Sequence, residues 1–345
     1  MRPRIAGIVL NPGQPEPETV LAPKNSILKR AGITAVKTAV TVLLLYLFIR
    51  RTDFSGVAAA LSRLSLGLIV ALALLNLLGV FIAAYKWRML LPEAKFSGLA
   101  IACLASYYIA LLLPGQLAQE AAKAYYLSLG PSPRMHMIAA SVVVDKIISI
   151  IGLLVVGCIG LTLSETRLPQ SLTWLFVVFG LLAILLLFLL RAPGVYSGAC
   201  HLIARLGAML PRQKRIFHGG TRLFEAWHVY SKNLPLLAGN ILVAVLYQFV
   251  GVLMFYLLSR GLQLHIGFFD WSWIVGALTL ALFLPLTIGG LGVREGTLIG
   301  ILGMFGYGSE TAIALSLMAF SFVLMLAIIG AALSFTIKAR GKTIP

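Results

Sequence analysis

Long apolar runs, separated by short polar stretches, dominate the pattern of this chain. Six of these runs are long enough to cross the ~30 Å hydrocarbon core of a bilayer as a helix. They cover residues 31–49, 66–84, 136–163, 172–190, 236–258 and 311–337. Two further runs, residues 97–113 and 271–284, are too short to cross and are followed by Pro114 and Pro285. The pattern predicts an all-α polytopic membrane protein with about six full spanning helices and two broken or re-entrant helical hairpins.

The two interruptions lie at matching positions in the two halves of the chain. Glu120 follows the first interruption and Glu295 follows the second, 175 residues later. The same offset superimposes the runs at 66–84 and 136–163 on the runs near 236–258 and 311–337. Because basic residues mark cytoplasmic loops, the two halves are predicted to have opposite orientations in the membrane. Inverted repeats with paired breaks place the binding site of transporters near the bilayer midplane.

The flanking and connecting segments are polar and basic. Residues 1–30 contain several prolines and basic residues and no apolar core, which predicts a disordered cytoplasmic tail. The first membrane repeat then covers residues 31–165, the second covers 166–337, and residues 338–345 form a cytoplasmic tail. A basic insert in the second repeat, residues 191–233, is predicted to bind inner-leaflet lipid, with a solvated loop as the alternative. Lys86-Trp87-Arg88, after the run at 66–84, is typical of an interfacial anchor.

Composition restricts the class of protein further. The chain is 60% hydrophobic and 11% charged, which excludes an ordinary soluble domain. Its 28 basic and 11 acidic residues give a net charge of +17, which fits loops facing anionic lipid and argues against nucleic-acid binding. The three cysteines have no metal-ligand spacing and indicate neither a disulfide framework nor a zinc site. We expect no metal and no cofactor. We predict a multi-pass protein of the inner membrane with both termini in the cytoplasm.

Four ionisable residues of the first half are candidates for substrate binding. Each would cost about 2.5–3.5 kcal/mol at the centre of a membrane helix, so it should face a cavity or a partner. Glu120 and Lys123 are three residues apart and share a helix face. Asp145 and Lys146 lie on a polar stripe with Ser149, whose alternative role is hydrogen bonding between helices. For Glu120 and Lys123 the alternative is a position at the membrane interface.

The second interruption contains the other candidates. Its sequence runs from Pro285 through Gly289-Gly290-Leu291-Gly292-Val293-Arg294-Glu295. Glycines before a helix N-terminus leave backbone N–H groups accessible to an anion, and an arginine strengthens such a site. Gly290, Gly292, Arg294 and Glu295 are therefore predicted to bind substrate, whereas a glycine-packed hairpin tip is the alternative.

These motifs resemble the transmembrane, flippase-type domain of lysylphosphatidylglycerol synthases. The first matching segment is Leu113-Pro114-Gly115 with Glu120, Lys123 and Tyr126-Leu127, continued by Ser141-Val142-Val143-Val144-Asp145-Lys146; the second is the stretch from Pro285 to Glu295. The sequence departs from the family pattern at Ala118, where glycine is usual, and at Lys123 and Lys146, where arginine is common. The soluble aminoacyl-transferase domain of the full synthases is absent, so a stand-alone member is expected.

The resemblance implies that the protein moves or handles phospholipids or polyprenyl-linked lipids. The leading hypothesis is a lipid translocator whose two hairpins meet in a polar cavity and whose partner is an anionic phospholipid or polyprenyl lipid. One alternative is a membrane enzyme acting on a lipid-linked substrate, with Glu120 and Asp145 as its carboxylates. Another is a partner subunit that recruits a glycosyltransferase or a synthase through the basic insert. We expect a protein that is not an enzyme.

Overall fold

The computed structural model describes residues 64–112, 116–129, 135–164, 233–283 and 290–339, together with single positions between these ranges. Within them the chain is helical and contains no strand. The eight helices of this part of the chain are α1 (Leu66–Leu90), α2 (Phe96–Leu112), α3 (Gln116–Ser128), α4 (Met135–Leu163), α5 (Leu234–Gly261), α6 (Phe268–Phe283), α7 (Val293–Met304) and α8 (Ser309–Ala339).

Four of these helices confirm predicted spans. The long apolar stretches Leu66–Leu90, Met137–Leu163, Leu234–Gly261 and Ser309–Ser334 are each able to cross a bilayer by length and composition. The predicted spans at residues 31–49 and 172–190 lie outside the continuous described ranges, as do the N-terminal tail, most of the C-terminal tail and nearly all of the basic insert. A total of six spans therefore stays a prediction.

Local sequence explains where the long helices begin. The Ser65 side chain accepts a hydrogen bond from the Leu68 backbone N–H at 3.2 Å, and Asn233 accepts one from Leu236 N–H at 3.2 Å. Each bond satisfies an N–H group that has no partner inside its helix. Where α5 begins, the Tyr230 hydroxyl also donates to the Leu90 carbonyl at 2.9 Å. Burial raises the pKa of Tyr230 to about 12, so this hydroxyl keeps its proton at neutral pH.

The two halves share one order of elements. In each half a long helix is followed by two short helices and then by another long helix. The packing of the two halves also corresponds. The first short helix of each half, α2 or α6, contacts the last long helix of the other half, α8 or α4. It also contacts the short helix that follows it, α3 or α7. The first helices of the two halves, α1 and α5, pack against each other. The predicted short runs are thus real elements, whereas the opposite orientation of the halves stays a prediction.

Each half has a hydrophobic core centred on its first short helix. In the second half, Trp271, Trp273 and Ile274 of α6 are fully buried, and in the first half Leu99 and Ala102 of α2 are equally inaccessible. A helix that is apolar on all sides can be surrounded by other helices in this way. The short helices are therefore held inside the bundle, while much of α1 and α5 remains on its outside.

Glycine allows the closest approach between α2 and α8. A Cβ atom added at Gly330 of α8 would collide with the backbone carbonyl of Leu104 and the backbone nitrogen of Ala105 on α2. In membranes, where apolar side chains gain little by leaving lipid, small residues let helices approach and strengthen their van der Waals contacts. Gly330 therefore determines how closely α8 covers the core of the first half.

We expect Gly330→Ala to lower the free energy of unfolding by about 1–3 kcal/mol, because the backbone of α2 has to move away from the added methyl group. Gly300→Ala is the matched control, since a Cβ at Gly300 meets nothing within 4 Å and replaces glycine inside a helix in the same way. Thermal unfolding in detergent measures both variants. Equal stability of the two variants would contradict the prediction.

The interpretation of Lys86-Trp87-Arg88 as an interfacial anchor is wrong for its first two residues. Helix α1 continues to Leu90, and the Lys86 and Trp87 side chains are buried, with residue exposures of 2% and 1%. The indole N–H of Trp87 donates to the Ser141 hydroxyl of α4 at 2.9 Å. Of the three residues of this segment, only Arg88 is exposed.

Candidate functional site

A cavity of about 220 Å³ with charged residues in its lining, the charged cavity, lies among helices α1 to α6. None of the described side chains of α7 or α8 lines it. All four predicted site residues of the first half face this cavity, namely Glu120, Lys123, Asp145 and Lys146. They come from α3 and α4, and the structure adds one more charged residue, Lys86 of α1. The fold therefore brings together charges that are up to 60 residues apart in the sequence.

Lys86 and Asp145 form a buried ion pair across α1 and α4. The Lys86 Nζ atom lies 3.2 Å from Asp145 Oδ1, and their side chains are only 3% and 8% exposed. Lys86 also donates to the Ser149 hydroxyl, which in turn donates to the Asp145 backbone carbonyl at 2.7 Å. These bonds combine both interpretations of the polar stripe on α4, because it joins two helices and lines a cavity.

Glu120 holds the other two lysines of the cavity. Its Oε2 atom is 2.8 Å from Lys123 Nζ, which confirms that the two residues share one face of α3. Its Oε1 atom is 3.5 Å from Lys146 Nζ on α4. The Lys146 ammonium also lies 4.5 Å from the centroid of the Phe283 ring, at the end of α6. Of the three cavity lysines, Lys146 has the most exposed side chain, at 20%, compared with 13% for Lys123.

Among the described residues that line this cavity, lysines outnumber carboxylates. Three of these residues are lysines and two are carboxylates. Charges at membrane depth are costly, so a group of ammonium ions attracts an anion. The volume exceeds the ~30 Å³ of a water molecule several times, yet it is smaller than the ~300–1,000 Å³ of typical drug-sized sites. A cavity of this size and charge suits a small anionic group such as a phosphodiester.

The predicted residues of the second half form a separate cluster at the N-terminus of α7. Glu295 Oε1 accepts hydrogen bonds from the Arg294 guanidinium at 3.0 Å and from the Ser316 hydroxyl at 2.5 Å. Its Oε2 accepts the Gly292 backbone N–H at 2.6 Å. The helix N-terminus, which was predicted to receive an anion, is thus occupied by the carboxylate of the protein itself.

Glycine is required at two positions of this cluster. Gly290 and Gly292 have φ angles of 72° and 83°, in the left-handed region that side chains with a Cβ avoid. A Cβ at Gly290 would also lie 2.6 Å from Leu282 Cδ2. Arg294 completes the cluster by donating to the Ser316 hydroxyl at 2.8 Å and stacking 4.7 Å from the Phe320 ring centroid. None of Gly290, Gly292, Arg294 and Glu295 lines the charged cavity.

The sequence pattern assigns Lys86, the lysine that pairs with Asp145, to an interfacial anchor and not to the site. One signal was present in the sequence. The position of Asp145 ten residues into α4 indicates where a buried cation is needed.

Metal binding has no support in the described ranges, where no group of three or more His, Cys, Asp or Glu side chains is suitably close. Cys103, a lining residue of the cavity, is buried, and Cys158 is half-buried. The described donors around the cavity include ammonium, phenol, alcohol and amide groups, which can bind an anion or other hydrogen-bond acceptors.

The chain belongs to the family of the lysylphosphatidylglycerol synthase TM region, whose model matches residues 34–330. This match covers most of the chain and includes both motif segments and every residue of the charged cavity. No curated protein and no solved structure matches the chain. The resemblance seen in the sequence is therefore confirmed at the level of the family, and the protein is a membrane protein of this family.

Proposed function

We propose that the protein is a lipid translocator of the inner membrane, in which the charged cavity receives the phosphate of an anionic phospholipid or polyprenyl lipid. The observation that carries the proposal is the group of three lysines that line this cavity, Lys86, Lys123 and Lys146. Lys146 is the principal phosphate contact, because it has the most exposed ammonium and lies between α3, α4 and α6. Glu120 and Asp145 hold the lysines in position through their ion pairs.

Movement of the lipid follows from the arrangement of the two halves. Their common order of elements and their corresponding contacts support an inverted repeat, with one hairpin facing each side of the membrane. The first hairpin, α2 and α3, carries Glu120 and Lys123 to the cavity. The tip of the second hairpin is formed by Gly290, Gly292, Arg294 and Glu295. Its two charged side chains pair with each other. Exchange of these internal bonds for bonds to a headgroup would open the second hairpin.

The insert at residues 191–233 is proposed to bind anionic lipid of the inner leaflet and to keep both termini on the cytoplasmic side. Its basic residues would raise the local concentration of anionic substrate. The alternatives of a partner subunit for a glycosyltransferase or a synthase, and of an enzyme acting on lipid-linked substrates, assign no transport to the cavity. A direct measurement of lipid transfer therefore separates them from the translocator.

We expect Lys146→Gln to slow lipid transfer about 10- to 100-fold, the effect of losing one charge-assisted hydrogen bond of about 1.5–3 kcal/mol. Lys146→Arg is expected to keep most of the rate, because a guanidinium also binds phosphate. Transfer of tail-labelled phospholipids with several headgroups, and of a labelled polyprenyl phosphate, is measured in proteoliposomes. Folding should survive in both variants, since Lys123 still pairs with Glu120.

Arg88→Gln provides the control, because it removes a positive charge from an exposed position of α1. Its transfer rate should equal that of the unmodified protein. Transfer that is equally fast in folded Lys146→Gln would refute the role of this ammonium. A complete lack of transfer for every lipid, with and without a proton gradient, would favour the partner-subunit or enzyme alternative.

A further inference from the structure

A second cavity, of about 180 Å³, adjoins the charged one. Four residues line both spaces, namely Tyr107, Tyr247, Gln248 and Thr279. These four side chains, with their hydroxyl and amide groups, thus form a wall between the charged cavity and the second cavity. Any molecule that occupied both would have a charged end, a hydrogen-bonding junction and a third part in the second cavity.

Apart from this shared wall, the described residues that line the second cavity are apolar or glycine, with the exception of Asn76. The Asn76 amide N–H₂ donates to the Leu72 carbonyl at 2.9 Å and contacts Met254 Sδ at 3.0 Å. Those contacts direct the amide towards the protein. Gly79 and Gly251 leave the space open by having no side chain. These two glycines leave room for an apolar group beside the shared wall.

The position of the second cavity identifies the kind of occupant. It lies between α1 and α5, the two spanning helices whose apolar windows are only 17% buried. Outward-facing residues of the same helices are strongly exposed, for example Leu74 at 62% and Leu242 at 70%, as expected for surfaces that contact hydrocarbon. A lipid chain next to this helix pair would lie beside the cavity, because residues of both α1 and α5 line it.

We propose that the second cavity holds the first part of a hydrocarbon chain of the lipid whose phosphate occupies the charged cavity. This inference rests on the proposed function and adds a specific requirement to it. The substrate must have an apolar chain that begins within a few atoms of the phosphate, next to the hydroxyls of Tyr107 and Tyr247. Diacyl phospholipids and polyprenyl phosphates both have this chemistry, so the experiment uses one probe of each type.

The test is photocrosslinking in proteoliposomes with a phosphatidylglycerol that carries a diazirine near the carboxyl end of one chain. A polyprenyl phosphate with a diazirine in its first isoprene unit is the second probe. Mass spectrometry of the digested protein then identifies the labelled residues. We expect labelling of residues that line the second cavity, such as Val250, Met254 and Val275, by whichever lipid the protein accepts.

A filling variant makes the test stricter. A Cβ at Gly251 meets nothing within 4 Å, so Gly251→Leu should place its side chain in the cavity without displacing backbone, and it should reduce the labelling at least tenfold. Gly300→Leu is the matched control, because Gly300 is also helical and open but lies on α7, away from both cavities. Its labelling pattern should be that of the unmodified protein.

Labelling confined to outward-facing residues such as Leu74 and Leu242 would overturn the inference, and so would labelling that Gly251→Leu leaves unchanged. The pattern in the unmodified protein decides the matter by itself if Gly251→Leu does not fold. The transfer assay separates this inference from the proposed function. Transfer without labelling of the second cavity would refute the chain site alone, whereas labelling there without transfer would refute translocation alone.

Discussion

Replacing Lys86 with methionine is expected to lower the free energy of unfolding by about 3–5 kcal/mol, because Asp145 would remain as a buried charge without its cation. The two groups are 3.2 Å apart and almost inaccessible. The measurement is reversible unfolding in mixed detergent micelles. Arg88→Met, at an exposed position two residues further along α1, should change the stability by no more than about 0.5 kcal/mol.

The double variant Lys86→Met, Asp145→Leu distinguishes two free energies. One is the net contribution of the ion pair to stability, and the other is the penalty for leaving one of its charges buried alone. Replacing both partners of a buried ion pair by apolar residues is often nearly neutral, so the double variant should be more stable than either single variant. Additive losses in the two single variants would show that the ion pair is not coupled.

The second large effect is expected at Glu295. Glu295→Gln keeps the shape of the side chain, including an acceptor for the Gly292 N–H, but it leaves the Arg294 guanidinium buried without a counter-charge. We expect a loss of about 3–5 kcal/mol in the free energy of unfolding. Glu310→Gln, the same substitution at a half-buried position in the first turn of α8, should cost at most about 1 kcal/mol.

The same preparation tests the predicted binding role of Arg294 and Glu295. Lipid transfer by the double variant Arg294→Ala, Glu295→Gln is compared with transfer by the unmodified chain at equal amounts of folded protein. A rate that falls in the folded variant supports substrate contact by the second hairpin. An unchanged rate together with reduced stability would limit this cluster to a structural role, the fastening of α7 to α8 through Ser316.

The two halves thus use the same order of helices for different chemistry. In the first half the acidic residue of the short second helix, Glu120, binds lysines that face an open cavity. In the second half the residue at the matching offset, Glu295, binds an arginine and a hydroxyl inside a closed cluster. The site is asymmetric because the charged partners differ, although the helices that carry them correspond.

Much of the fold could be predicted from the sequence because helix length and apolarity are local properties. The spans at α1, α4, α5 and α8, and the short helices α2 and α6, follow from counting apolar residues against the thickness of a bilayer. The contact between Glu120 and Lys123 follows from the spacing of three residues on one helix. Periodicity and length need no knowledge of neighbouring helices.

The sequence by itself determined a helical membrane protein of two similar halves, with charged residues placed after each interruption. Only the tertiary structure decided which of those charges meet, because contacts between residues far apart in the chain depend on which helices pack together. It placed Lys86 beside Asp145, separated Arg294 from Lys146, and left two adjoining cavities that no local pattern records. A cavity is a property of the space between helices, so it exists only when all of them are in position.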